Sequence, residues 1–247
     1  MEKKEPLIVL TKKLHTMRKL VVPFLLFCQF VVAQAIEGGF AIINDKDGYV
    51  NARKEANIHS KVIKKLDNNT LIFAFDYNKS EDGNWIYADN DGYIYNDRVK
   101  WLEKLPKVAK GIEKKNAIHF SGKNIKVTLT SQKFDKGKHS FVYYKEPHHS
   151  IEKIDGKPFW GTDGEIPREE YKNIQIYING KQVFIPKSAY DDLYEPTFYT
   201  ENNSIYYDKE HDNYYIVATN SDGAGAYMVC WQIEKGVYKG RKIGIPF

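Results

Sequence analysis

Residues 84–95 read NWIYADNDGYIY, two short β-type runs, WIYA and GYIY, separated by the turn residues DND. Aromatic and β-branched residues favour strands, and short strands that recur roughly every 8–12 residues between turn residues are typical of a small barrel or sandwich. The same spacing extends upstream to residue 40, and no helix-length period of about 3.6 residues interrupts it. The sequence therefore predicts a mostly β fold, in agreement with its 18 Tyr residues.

Four blocks in this half are similar to bacterial SH3-like domains, in the order 48–53 (GYVNAR), 60–66 (SKVIKKL), 84–87 (NWIY) and 91–94 (DGYI). The resemblance covers residues 38–103 and implies a small five-stranded barrel over residues 36–104. Members of this family are typically targeting or binding modules of exported and cell-wall-associated proteins. Where the family often has Val-Asn-Val-Arg followed by Ser-Gly-Pro, this chain has Ala52 before the arginine and Lys54-Glu55-Ala56 after it.

The candidate ligand-binding residues of this module are Tyr49, Arg53, Trp85 and Tyr93. They would line a groove for a peptide or a glycan. Their alternative role is to fill the barrel core, and that alternative fits Trp85 best.

Residues 1–35 are predicted to be a signal peptide. Arg18 and Lys19 precede a mostly apolar run of 13 residues, and Ala33-Gln34-Ala35 fits the cleavage pattern of small residues. Met17 directly precedes Arg18, so we expect translation to begin there. An uncleaved membrane anchor is the alternative, but the run is shorter than the roughly 20 residues that a span needs. We expect a periplasmic or secreted protein with no stable membrane span after cleavage.

Net charge limits the possible binding partners, and the positions of the two cysteines limit their possible modifications. Removal of residues 1–35 leaves 31 basic and 30 acidic residues, so no basic surface is expected for nucleic acid. Phe27 and the apolar residues after Cys28 disfavour a lipoprotein signal at that cysteine. Cys230 is then the only cysteine left, and its strand-like neighbours predict a buried thiol.

The second half is predicted to be an antiparallel β-rich domain over residues 116–247, preceded by a linker at 105–115; a short helix is the alternative for that segment. The turn Asn179-Gly180 predicts a hairpin, since both residues tolerate positive φ, and two more hairpins follow it. Three stretches, at 160–164, 185–193 and 221–227, resemble a family of uncharacterised exported bacterial proteins, a resemblance that implies no chemistry.

No catalytic set and no cofactor or metal site is recognisable. Cys230 lacks the Asp-Cys-Ser-Gly surroundings of a papain-like peptidase, and the adjacent His148-His149 would point to opposite faces of a strand. Trp160, Asp163 and Asp222 lie in Gly-flanked polar stretches, where an aromatic ring beside carboxylates is a common arrangement for binding sugar. Asp163 and Asp222 are also the candidate pair for a hydrolase.

The leading functional prediction is a non-catalytic exported binding protein that acts at the cell envelope through its SH3-like module. Its partner would be a cell-wall peptide or glycan, or another envelope protein. The first alternative is an interaction protein, such as an inhibitor or an immunity protein against a secreted toxin. The second is a hydrolase whose site lies in residues 116–247.

Overall fold

Antiparallel β-strands make up most of the structure, a computed structural model that describes residues 38–75, 84–145 and 149–246. The mostly β fold class is thereby confirmed. The only helices within those ranges are 3-10 turns, at Asn96–Arg98, Leu102–Lys104, Lys136–Lys138, Lys187–Ala189 and Gly223–Gly225. None of the helices described is long and apolar enough to cross a membrane. The predicted signal peptide, with Met17 and Cys28, lies outside the described residues, as does His148.

The first sheet has seven strands: β1 (Gly38–Ile43), β2 (Tyr49–Arg53), β3 (Val62–Asp67), β4 (Leu71–Phe75), β5 (Trp85–Ala88), β6 (Gly92–Tyr95) and β7 (Val99–Trp101). Their order across the sheet is β3-β2-β6-β5-β4-β1-β7. Successive side chains on a strand point to opposite faces. On β2 this alternation buries Val50 and Ala52 in the core and leaves Tyr49, Asn51 and Arg53 half-buried on the other face.

The middle of the chain contributes seven strands: β8 (Ala109–Lys114), β9 (Ala117–Gly122), β10 (Ile125–Lys133), β11 (Phe141–Tyr143), β12 (Ile151–Ile154), β13 (Glu169–Ile178) and β14 (Lys181–Val183). Five of them form a sheet in the order β14-β13-β10-β9-β8, and β11 pairs with β12. The predicted hairpin β13–β14 is confirmed, because Asn179 and Gly180 have φ values of 50° and 77° in its turn.

The last sheet is a meander of β15 (Asn203–Asp208), β16 (Asn213–Asn220), β17 (Tyr227–Glu234) and β18 (Val237–Gly244), so the two later hairpins are confirmed as well. It is apolar on both faces. Ile216 and Trp231 join the core of the five-stranded sheet. Val217 and Cys230 pack with Phe73 from the first sheet. The four-stranded sheet therefore lies between the seven-stranded sheet and the five-stranded sheet. The predicted burial of the Cys230 thiol is confirmed.

The segment 105–115, predicted as a linker or a short helix, contains strand β8, which pairs with β9 along its whole length. Just before β8, the backbone N of Val108 donates to the carbonyl of Ile205 at 3.0 Å, so this segment is held on two sides. Gly111 is a close-packing position: a Cβ there would lie 2.7 Å from Cγ2 of Thr200. Glycine at this position allows the strand to pack closely against Thr200. Residues 36–247 form one compact unit.

Candidate functional site

A groove of about 380 Å³ follows the outer face of β2. Three of the four residues predicted for the SH3-like module, Tyr49, Arg53 and Trp85, line it together. Tyr49 and Arg53 project from the same face of β2. Trp85, the first residue of β5, also reaches this groove. The groove is completed by residues that the sequence analysis did not name, chiefly Asp45, Asp47, Asn51, Ile58, Tyr95 and Arg98.

An ion pair with one buried partner, Asp45, lies against this groove. The Asp45 side chain is only 2% exposed, and one of its carboxylate oxygens accepts a hydrogen bond from Nη1 of Arg98. The other oxygen accepts from the backbone N of Asp47 at 2.7 Å. The Arg98 hydrogen bond is the main reason why the pKa of Asp45 lies below its usual range, and the same bond raises the pKa of Arg98. Asp45 is therefore a structural carboxylate.

The backbone of Asp45 is fixed as well. Its N donates to Oδ1 of Asn68 at 2.9 Å, and its carbonyl accepts from Nδ2 of Asn68 at 2.7 Å. Because one amide side chain satisfies both backbone groups, the turn that leads into β2 has a single well-defined conformation. The groove is thus anchored at this end by side chains from two turns.

The walls of the groove combine aromatic rings with the guanidinium groups of Arg53 and the paired Arg98. Nη1 of Arg53 donates to the carbonyl of Ser60 at 2.7 Å, which orients the side chain across the end of β2. The ammonium of Lys65 lies 3.5 Å from the centroid of the Tyr49 ring, a cation–π contact. Trp85 packs edge-on against Tyr95, with ring centroids 5.3 Å apart. At 4% exposure Trp85 is mostly core, and it offers the groove only a small part of its surface.

Tyr93, the fourth predicted residue, does not line the groove. Its ring lies 5.2 Å from that of Tyr87 on the neighbouring strand. Tyr93 lies opposite Arg53 where β2 and β6 pair. It is therefore a neighbour of a groove residue without being part of the groove surface.

A second cleft, of about 450 Å³, brings Asp163 and Asp222 together. It is formed by two loops, which are joined where Oγ of Ser221 donates to the carbonyl of Gly161 at 2.7 Å. Gly161 has a φ of +117°, and a Cβ there would lie 2.3 Å from the carbonyl oxygen of Tyr194. This glycine is required by the close approach of two backbones.

The charge in this cleft is mostly negative. Asp163, Asp222 and Glu165 line it, together with a paired Arg168 and Glu195. Nη2 of Arg168 lies 2.9 Å from Oε2 of Glu195, and this contact raises the pKa of Arg168. The pair neutralises one carboxylate and leaves three others at the cleft.

Trp160 does not line the second cleft. It packs against the core of the five- and four-stranded sheets, with its ring 6.3 Å from that of Tyr227. Its backbone is also tied down, since its N donates to the carbonyl of Asp192 at 3.0 Å. The three residues predicted for sugar binding are therefore divided, with two carboxylates at the cleft and the ring in the packing beneath.

A cluster that the sequence analysis missed lies in the turn between β15 and β16. Ligand atoms of Asp208, Glu210 and His211 all lie within 4.8 Å of one another, as a divalent cation would require. However, the ammonium of Lys100 lies 3.3 Å from Glu210 and 3.8 Å from Asp208, and Nδ1 of His211 contacts Asp208 at 2.7 Å. The carboxylates are already paired with cationic or hydrogen-bonding groups of the chain. The three ligand residues lie within four positions of one another and were visible in the sequence, whereas their pairing with Lys100, 110 positions from Glu210, was not.

Comparison with known proteins found no matching family model, no matching curated protein and no matching solved structure. The function of the chain must therefore be argued from these sites.

Proposed function

We propose that this chain is a non-catalytic exported binding protein that acts at the bacterial cell envelope and binds peptidoglycan through the groove beside β2. The observation that carries the proposal is that Tyr49, Arg53 and Trp85, selected from the SH3-like sequence blocks, line one groove. The export half of the proposal rests on the charged start, the apolar run and the Ala-Gln-Ala pattern within residues 1–35.

The chemistry of the groove suits a ligand with both apolar and polar groups. The rings of Tyr49 and Tyr95 offer apolar surface, and Asn51 and Arg53 offer hydrogen-bonding groups. Binding sites are commonly concave surfaces of this kind, in which a few polar groups fix the orientation of a ligand held by apolar contacts. Asp45, the most buried carboxylate at the groove, is held by Arg98, which suits a binding role better than proton transfer.

The test is sedimentation with purified peptidoglycan. Residues 36–247 should co-sediment, and Tyr49→Ala and Arg53→Ala should each reduce the retained fraction. Tyr177→Ala is the matched control, because Tyr177 is an exposed tyrosine on β13, in another sheet. No retention of the wild-type chain, or equal retention of the Arg53 variant, would contradict the proposal.

Export is tested separately by N-terminal sequencing of the protein recovered outside the cytoplasm. We expect the mature chain to begin at Ile36, after the Ala33-Gln34-Ala35 pattern. Recovery of uncleaved chain from the cytoplasm alone would refute the export prediction. The binding proposal would then depend only on the sedimentation result.

A second candidate function is hydrolysis in the second cleft, favoured by the convergence of Asp163 and Asp222 there. Glycoside hydrolysis uses two carboxylates on either side of the scissile bond. If the chain is a hydrolase, incubation with peptidoglycan releases soluble fragments, and both Asp222→Asn and Asp163→Asn abolish the release. Asp97→Asn, which changes an exposed carboxylate of the 3-10 turn Asn96–Arg98, should leave it unchanged. Release of no fragments by the wild-type chain excludes this candidate for that substrate.

A further inference from the structure

The two ends of the β2 groove carry opposite charges. Asp47 is exposed at the start, just before β2, and Arg53 lies at the end of the strand. The other two charged lining residues, Asp45 and Arg98, form an ion pair with each other. Lys65, which is close by, packs on the Tyr49 ring. The groove thus presents one carboxylate at one end and one guanidinium at the other.

The length of β2 sets the distance between these ends. A strand rises about 3.3 Å per residue, so Tyr49 and Arg53 are about 13 Å apart along the groove, with the Asp47 carboxylate beyond Tyr49. A neutral glycan chain would leave both charges without a partner. An extended peptide of four or five residues has this length and carries an ammonium and a carboxylate at its two termini.

Arg53 is suited to hold a carboxylate. A guanidinium has five N–H donors in a planar fork that matches the two oxygens of a carboxylate. The bond from Nη1 to the Ser60 carbonyl uses one of them and fixes the orientation of the group. Between the two ends, Asn51 can donate and accept hydrogen bonds, and Tyr49 offers an aromatic face.

We infer that the groove selects an extended zwitterionic peptide of about four or five residues, with its ammonium at Asp47 and its carboxylate at Arg53. This inference rests on the proposed function of the groove and names the chemical class of its ligand, a short peptide with both ends charged. It also fixes the direction of the bound peptide, because each terminus has one complementary partner.

The test uses penta-alanine in four forms: with free ends, N-acetylated, C-amidated and blocked at both ends. Binding is followed by amide chemical shifts of residues 47–53 in the chain from residue 36. In the wild-type protein each block should weaken binding about two- to five-fold, the range for one exposed ion pair. N-acetylation should have no further effect in Asp47→Asn, and C-amidation none in Arg53→Gln.

Glu103→Gln is the control, since it removes an exposed carboxylate of the 3-10 turn Leu102–Lys104, outside the groove, and should respond as the wild-type chain does. Equal binding of free and blocked peptides, or effects of blocking that persist in the two variants, would overturn the inference. If no form of penta-alanine binds while peptidoglycan is retained through Tyr49 and Arg53, the inference fails and the proposed function stands. If peptidoglycan is not retained either, both fail.

Discussion

Replacing Arg98 by Met should destabilise the chain by about 2–3 kcal/mol. Breaking a buried ion pair by removing one partner typically costs about 3–5 kcal/mol, because it leaves an uncompensated buried charge. The lower figure applies here for two reasons. Arg98 is 37% exposed, which weakens its interaction through solvent screening. Asp45 also keeps its hydrogen bond from the backbone N of Asp47.

Urea unfolding followed by tryptophan fluorescence measures this cost. With an m value of about 2 kcal/mol/M, the midpoint should fall by about 1–1.5 M urea. Asp97→Asn is the matched control: Asp97 contacts the same arginine at 2.9 Å but is 61% exposed, so its loss should cost less than about 0.5 kcal/mol. Equal effects of the two substitutions would refute the argument that the burial of Asp45 makes its pair important.

The pH dependence of the pair has a definite sign. The pKa of Asp45 is lowered in the folded chain from its ordinary value of 3.8, chiefly by the Arg98 hydrogen bond. Its contribution to stability is therefore complete above pH 3.8 and is lost as the pH falls through the lower folded value. The stability difference between the wild-type chain and Asp45→Asn should be constant from about pH 5 to 8 and shrink only below about pH 4.

Two further predictions concern the second half of the chain. Gly161→Ala should cost more than about 2 kcal/mol, because it combines a positive φ with a clash on the Tyr194 carbonyl, whereas Gly180→Ala, with open space around it, should cost about 1 kcal/mol. If urea unfolding shows the same loss of stability for both variants, the clash with Tyr194 does not explain the cost at Gly161. Burial raises the pKa of the Cys230 thiol, so a thiol reagent should label it only as fast as the chain unfolds; rapid labelling of the native protein would contradict its burial.

The strands were predictable where local chemistry alone decides them. Asn179 and Gly180 need no tertiary information to form a turn, because both adopt positive φ. The alternation that turns Tyr49 and Arg53 to the same face of β2 is also a local property. For this reason the part of the groove on one strand could be predicted from the sequence.

The remaining features of the fold and of the groove depend on contacts between residues that are distant in sequence. Asp45 and Arg98 are 53 positions apart, and neither stands out in its own segment. The need for glycine at position 111 is set by the approach of Thr200, which its own segment does not show.

The four-stranded sheet lies between the seven-stranded and the five-stranded sheets, and this position limits how the protein can be divided into fragments that fold on their own. The first sheet covers it with Phe40, Ile42 and Phe73, side chains that in a free-standing barrel would face water. Residues 38–104 therefore do not make a module that could be transferred unchanged to another protein. A version that folds on its own would need polar replacements at those positions, and the sheet it uncovers would need them at Tyr215 and Val217.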